Sequence, residues 1–553
     1  MVKIKRKSKK PKPKSPVATS TLNKKQLAAR RREVERQWQA VLQSIAIAVS
    51  LAAVISIVLL FVVKPKLALA GGCSIAVLLL SYQYPRYALW TFLIYLPFNG
   101  TITYWVGGGS PVFQIAKDAF YMPALIGLIQ NCQKKRLPII IPKSLGMSLS
   151  IVLSLALLTL IFVNGFMQLH PPPGDKPILQ GILGLKVLIG YIPLIPCAYY
   201  LIRHQKDLLV FTRMHLLLAI ICCILGLAQY FMLVHGSCPG TRGKVGEDLF
   251  KATLTAKCLV GGSLVYSPEV NFIRLPGTFV APWQWAWFLI SNAFLTFVCT
   301  FFDPSFLWRM IGLSGLALVF VNGVISGQRA ALILVPIVVG FLLVLTGQLV
   351  NFKRFIPIGV ALGLLLFVGA ATNPMVVQQR WESFLSRWNA SPPEQFLMNQ
   401  FQQSQNFISD SPLGKGIGRA TNSTRVFGYT KLIETYQPKL LYELGYPGML
   451  AFQGLLLQLT FFTFRAYRSV RDRSLRSYGA SFWVFIAFFS INPQYYPLDV
   501  DPVAVYYWVL AGIILKLPKI DRQLQEEKSK ALESNESLGQ NFHKKKNLTS
   551  SPI

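Results

Sequence analysis

Phe306-Leu-Trp-Arg-Met-Ile-Gly-Leu-Ser-Gly-Leu-Ala-Leu-Val-Phe-Val-Asn-Gly-Val-Ile325, Ser326-Gly-Gln-Arg329 and Ala330-Ala-Leu-Ile-Leu-Val-Pro-Ile-Val-Val-Gly-Phe-Leu-Leu-Val-Leu-Thr-Gly-Gln-Leu-Val350 follow one another without a gap. Two apolar runs stand back to back across a tight turn. A helix needs about 20 apolar residues to cross the hydrocarbon core of a bilayer, and each run has that length. Lipid offers no partner to a backbone N–H or C=O, so runs of this kind are helices that bond internally. The turn makes them antiparallel neighbours.

The same pattern continues outward. Toward the N-terminus the expected spans are 41–63, 67–84, 87–105, 113–130, 145–166, 181–202, 208–234 and 279–301. Toward the C-terminus they are 355–371, 441–464, 477–491 and 502–516. The fold class implied is all-α: a polytopic transmembrane helix bundle of about 12–14 spans, with a large external loop containing short helices. Residues 1–39 form a basic cytoplasmic arm, 40–516 the transmembrane domain with external loops 235–278 and 372–440, and 517–553 a charged tail expected to be disordered. No cleavable signal precedes the first run, which reads as a signal anchor.

The charge balance of 56 Lys+Arg against 22 Asp+Glu, formally +34, would suggest nucleic acid in a soluble chain. With 53% hydrophobic and only 14% charged residues, and mean hydropathy +0.45, the basic residues instead mark one side of a membrane. Counting spans alternately from a cytoplasmic N-terminus puts Arg86, Lys134–Arg136, Arg203–Lys206, Arg309, Lys353, Arg354 and Arg465–Arg476 inside. Lys64 and Lys66 fall on the opposite side. Both long loops fall outside, and the C-terminus returns to the cytoplasm. The basic arm favours anionic lipid heads, and nucleic acid is excluded as a partner for want of a recognition motif. Eight cysteines show neither CxxC pairs nor metal-ligand spacing, so no metal or cofactor is expected. Cys238 and Cys258 share one external loop, where a disulfide is open to them if that side is oxidising. The other six read as buried inert thiols.

The long loop decides where chemistry is sought. It carries Arg380-Trp-Glu, Arg387-Trp, Ser411-Pro-Leu-Gly-Lys-Gly-Ile-Gly-Arg419 and Glu434-Thr-Tyr, and it runs into Tyr442-Glu-Leu-Gly-Tyr-Pro-Gly448. Loops longer than about 15 residues are functional or disordered, and this one is too rich in Trp, Phe and Leu to be disordered. Charges beside a bilayer are costly, which makes them informative. Arg274 stands before the span at 279, and Arg329 in the turn after Ile325. A guanidinium stays charged at low dielectric and binds phosphate bidentately, so two of them suit a pyrophosphate. Glu434 is the candidate base, because desolvation would raise its pKa toward neutrality. Ion pairing with Lys431, Lys439 or Arg425 is the plainer role. Arg380, Arg387, Arg419 and Trp283 are candidate substrate contacts. The Trp283-Gln-Trp285-Ala-Trp287 cluster reads first as an interface belt and second as a surface for sugar stacking.

Weaker motifs carry less. Gly414-Lys-Gly-Ile-Gly418 lacks the phosphate-loop pattern and reads as a turn. Asp499-Val-Asp501 has the spacing of a metal–sugar-nucleotide motif, although helix-flanking carboxylates look the same. Glu443 reads as a helix cap. Lys186 sits inside a span with no partner apparent in sequence. Together with Asn292 and Asn322 it is the only polar group expected near a midplane.

Arg274-Leu-Pro-Gly-Thr-Phe279, Ser326-Gly-Gln-Arg329-Ala, the Pro-Leu-Gly-Lys-Gly-Ile-Gly run and Glu434 ahead of Glu443-Leu-Gly-Tyr-Pro-Gly448 occur in an order that resembles the O-antigen ligase/O-antigen polymerase superfamily over roughly residues 270–465. The resemblance implies a polytopic enzyme of a bacterial inner (plasma) membrane, with no metal and no cofactor. Such an enzyme passes a glycan from a polyprenyl-pyrophosphate-linked oligosaccharide to an acceptor glycan hydroxyl, with inversion, outside the cytoplasm. It implies that Arg274 and Arg329 hold the pyrophosphate, that Glu434 activates the acceptor, and that other polysaccharide-assembly proteins are partners. Ligases of this superfamily place a histidine where this chain has Glu434, which favours the polymerase or exopolysaccharide branch. The Lys-rich arm and general layout are also similar to the hormogonium polysaccharide biosynthesis membrane proteins of cyanobacteria. Two other classes stay open: a small-anion (bicarbonate-like) transporter, and a non-catalytic scaffold of a polysaccharide assembly complex. Inverted repeats and broken helices would mark the first.

Overall fold

The computed structural model describes residues 17–63, 65–110, 116–138, 143–244, 253–267, 272–348, 392–408, 411–492 and 496–547, with a few single positions between them. The chain is an all-α polytopic helix bundle. Its helices are α1 (Val17–Leu60), α2 (Pro65–Gln83), α3 (Pro85–Tyr95), α4 (Asp118–Lys134), α5 (Lys143–Leu158), α6 (Pro177–Ile189), α7 (Leu194–Leu201) and α8 (Gln205–Val234). They continue as α9 (Pro282–Phe302), α10 (Phe306–Ile325), α11 (Arg329–Leu345), α12 (Pro393–Ile408), α13 (Tyr436–Arg468), α14 (Arg473–Ile491) and α15 (Val503–Asn547). Among the described residues, 8 helical segments are long and apolar enough to cross a membrane, and α2 and α11 are shorter apolar helices. The span expected at 355–371 lies outside the described residues.

The core is built on α9. In its most apolar stretch 89% of residues are buried inside the bundle, against 11% for α1. A helix that is apolar all round belongs at the centre, and α9 packs against α8, α10, α11, α14 and α15. Its aromatic side chains interlock with those of α14: Phe294 lies edge-on to Phe485 and Trp287 to Phe489. Trp285 and Trp287 are therefore core residues rather than members of an interface belt, and Trp283 alone of the three is exposed. Of the six free cysteines, five are buried as expected, whereas Cys73 is exposed.

Three departures from the expected helices have local causes. The span expected at 181–202 is two helices, α6 and α7, broken at Gly190-Tyr-Ile-Pro193, where Tyr121 donates its hydroxyl to the Gly190 carbonyl (2.9 Å). α5 widens into a π turn at Thr159–Asn164 before a final turn to Leu169. Residues beyond Leu517, expected to be disordered, continue α15 as helix. Leu517 and Ile520 are buried, and the Asp521 carboxylate accepts from the backbone N–H groups of Arg471 and Asp472 (both 3.0 Å) in the α13–α14 turn. Docking of that carboxylate on unpaired amides holds the start of the charged segment in helical form.

At the opposite end of the bundle, a hairpin of β1 (Val265–Ser267) and β2 (Phe272–Arg274) pairs Val265 with Arg274 in antiparallel register. A Cys238–Cys258 disulfide closes the preceding loop.

Candidate functional site

Arg274 is the last residue of β2 and Arg329 the first of α11. The N–H of Leu275 donates to the Ser326 carbonyl (3.0 Å), which lays the α10–α11 turn against the end of the strand. Gly327 makes this approach feasible. Its φ is +69°, and a Cβ there would lie 1.7 Å from the Ile273 carbonyl oxygen. Only glycine accepts both conditions. Two arginines from different elements are thus anchored on one backbone junction.

Glu434 reaches the same place from the long loop. It precedes α13 by two residues, and its N–H donates to Gln400 Oε1 on α12 (3.1 Å), so the helix of the cap fixes the lead-in. Arg274, Arg329 and Glu434 are each half-buried. Burial holds the Glu434 carboxyl above the usual carboxylate range, while the Arg274 and then the Arg329 guanidinium pull it down. The structure therefore gathers these three residues into one electrostatically coupled group at the hairpin end. Lys439 and Arg425, considered as partners for Glu434, are engaged elsewhere: Lys439 with Asp499 and Glu443, and Arg425 with Thr430.

The remaining candidate contacts are placed differently. Arg419 donates to Asp175 (2.9 Å) and Gln180 (3.3 Å), an internal pairing that ties the long loop to the start of α6. Trp283 is exposed at the first turn of α9. Arg380 and Arg387 lie outside the described residues.

The Gly-rich run is a packing device. Gly414, Gly416 and Gly418 all have positive φ. A Cβ on Gly418 would sit 2.3 Å from the Gln180 carbonyl oxygen. Asn164, at the end of the π turn, accepts from the Ile417 N–H (2.9 Å) and donates to the Ile417 carbonyl (3.0 Å). Glu443 accepts from the Ala420 N–H (2.7 Å) and the Thr421 hydroxyl (2.9 Å). It clamps this loop instead of capping α13. These amides point into protein, so they are committed to fold and not to a phosphate.

Asp499 and Asp501 are not arranged as metal ligands. Asp499 pairs with Lys439, and Asp501 with Lys117, all four largely buried. Beside them Lys186 pairs with Asp118 (2.7 Å) and donates to the Tyr191 hydroxyl (3.3 Å), which in turn donates to Asp118 (3.2 Å). Buried lysines and aspartates are tolerable only when paired, and these are. Asn292 and Asn322 donate to helix carbonyls, Phe288 for the first and Leu318 and Cys223 for the second. Lys117, Asp118 and Asp175 were not singled out from the sequence, and Lys439 was considered only as a partner for Glu434. The adjacent charges Lys117-Asp118 inside an expected apolar span were the readable signal.

No family model matches the chain, and no curated protein matches it.

Proposed function

We propose that this protein is a polysaccharide polymerase or ligase that moves a glycan from a polyprenyl-pyrophosphate carrier to an acceptor hydroxyl on the external face of the membrane. The observation that carries this reading is the convergence of Arg274, Arg329 and Glu434 at one end of an apolar bundle. In the reaction the acceptor oxygen bonds to the anomeric carbon as the bond to the pyrophosphate oxygen breaks. Glu434, as carboxylate, takes the hydroxyl proton. The raised pKa that burial gives it makes it a stronger base than an exposed glutamate. The departing pyrophosphate gains negative charge, and two fixed guanidinium groups in a half-buried place stabilise that charge more than water would. Such a transfer needs no metal, and the carrier lipid reaches the group from the bilayer.

The decisive experiment compares secreted polysaccharide from cells carrying Arg329→Ala with wild type at equal membrane protein level. Loss of long chains with accumulation of short lipid-linked glycans supports the reading; unchanged polymer refutes it.

One observation favours a second reading, a small-anion transporter. The α6–α7 break brings an interrupted helix beside the Lys186–Asp118–Tyr191 group, and broken helices with charged residues at depth are a transporter feature. Anion uptake by vesicles holding the purified protein, abolished by Lys186→Met and untouched by Arg329→Ala, would establish that reading instead.

A further inference from the structure

A cavity lies at the other end of the bundle from the Arg274, Arg329 and Glu434 group, where α1 leaves its basic arm. It encloses about 510 Å³ between α1, α2, α3 and α4. Trp38, Val41 and Ile45 form the α1 wall, Val77 and Ser81 the α2 wall, and Tyr84 lines it at the α2–α3 joint. The α1 wall rises seven residues, about 10 Å of helix, which is most of the depth of one leaflet of a core about 30 Å thick. The lining is mainly apolar, and two of its hydroxyls have partners: Tyr84 donates to Ser44 (3.1 Å) and Thr91 to the Tyr87 carbonyl (3.0 Å). A slot with this shape and lining takes hydrocarbon.

Its mouth is charged. Trp38, Val41 and Ile45 recur at helical spacing, and two turns back along the same face of α1 stands Arg31. Arg32 and Arg36 flank it, all three exposed, with Glu33 and Glu35 between them. From the neighbouring helices come Arg86, paired with Asp207 (2.8 Å), and exposed Lys134, Lys135 and Arg136 at the end of α4. Basic residues around a gap between membrane helices are the chemistry that selects an anionic head group, each contributing roughly 1 kcal/mol.

We infer that the α1–α4 cavity is a binding site for one anionic phospholipid, with an acyl chain in the slot and its phosphate on the Arg31, Arg32 and Arg36 collar. The site stands apart from Arg274, Arg329 and Glu434 and does not depend on the glycosyl-transfer reading. Its occupant seals α1, the least buried span, to α2–α4.

The test is native mass spectrometry of the delipidated full-length protein in detergent, titrated with phosphatidylglycerol or with phosphatidylcholine of the same acyl chains. Wild type retains one phosphatidylglycerol at concentrations about tenfold below those needed for phosphatidylcholine. Arg31→Gln/Arg32→Gln/Arg36→Gln abolishes that preference. Thr91→Trp, which fills the slot, abolishes retention, while Ile161→Trp on an exposed face of another span leaves it intact. Equal retention of both lipids by wild type overturns the proposal. So does retention by Thr91→Trp at the wild-type level, because it would place the lipid on the arm alone.

Discussion

Two groups of charged residues in this bundle are built on opposite plans. Around Lys117, Asp118, Lys186, Lys439, Asp499 and Asp501, every charge faces an opposite charge and the side chains are largely out of reach of solvent. Around Arg274, Arg329 and Glu434, both guanidinium groups act on one carboxylate and all three residues are half-buried. The first plan is closed and locks helices together. The second stands within reach of solvent, where a substrate can approach it. Charge inside a membrane protein is thus not one signal but two, separated by how far each group is withdrawn from solvent.

Substitutions should divide the two groups cleanly. The largest effect is expected from Asp499→Asn, which leaves Lys439 beside Glu443 at 3.9 Å as its remaining partner. Removing one member of a buried pair costs about 3–5 kcal/mol, whereas Lys439→Met/Asp499→Leu should recover most of the loss. Thermal unfolding in detergent reads both, and a double variant no better than the single would break the closed-pair account. Next comes Arg274→Ala or Arg329→Ala, expected to lower transfer about 10²–10³-fold, as loss of a charge-stabilising donor does, with melting temperature unchanged. A melting shift as large as that of Asp499→Asn would place these arginines in the closed class.

The pH profile sharpens the open group. Glu434 must be deprotonated to act as base, so activity falls as pH drops through its raised pKa. Arg274 is the first of the two charges that hold this pKa down. Residual activity of Arg274→Gln should therefore lose its acid limb at higher pH than wild type, while Arg274→Lys keeps the limb in place. A limb that does not move between Gln and Lys would disconnect Glu434 from the arginine. The smallest effect belongs to Arg419→Gln. Its pairing with Asp175 predicts a stability loss of about 1.5–3 kcal/mol at most and nearly normal chain length. Short chains from a stably folded Arg419→Gln would return Arg419 to the substrate.

Much of this architecture was readable in the chain. Phe306–Ile325 begins and ends where its apolar run does, because a turn residue and a proline-free apolar stretch leave no other boundary. Arg274, Arg329 and Glu434 could be picked out because each is a charge placed at the end of a span, where its cost has to serve something. Partners were not readable. Lys117 and Asp501 are 384 positions apart, and no local pattern announces which of many helices will bring them together. Nor could the sequence show that Trp285 and Trp287 face protein, since lipid and a neighbouring helix are equally apolar surroundings. The α6–α7 break was marked by Gly190 and Pro193, but the apolar run continued across them and its length prevailed.

The burial of α9 has a consequence for how the molecule is made. Three of its polar side chains donate within the helix itself: Asn292 to Phe288, Thr296 to Asn292 and Thr300 to Thr296. Those three donors ask nothing of neighbouring helices while the segment waits in lipid, although α14 and α15, which will enclose it, are synthesised well after it. A ribosome can therefore release the centre of this bundle long before its walls exist.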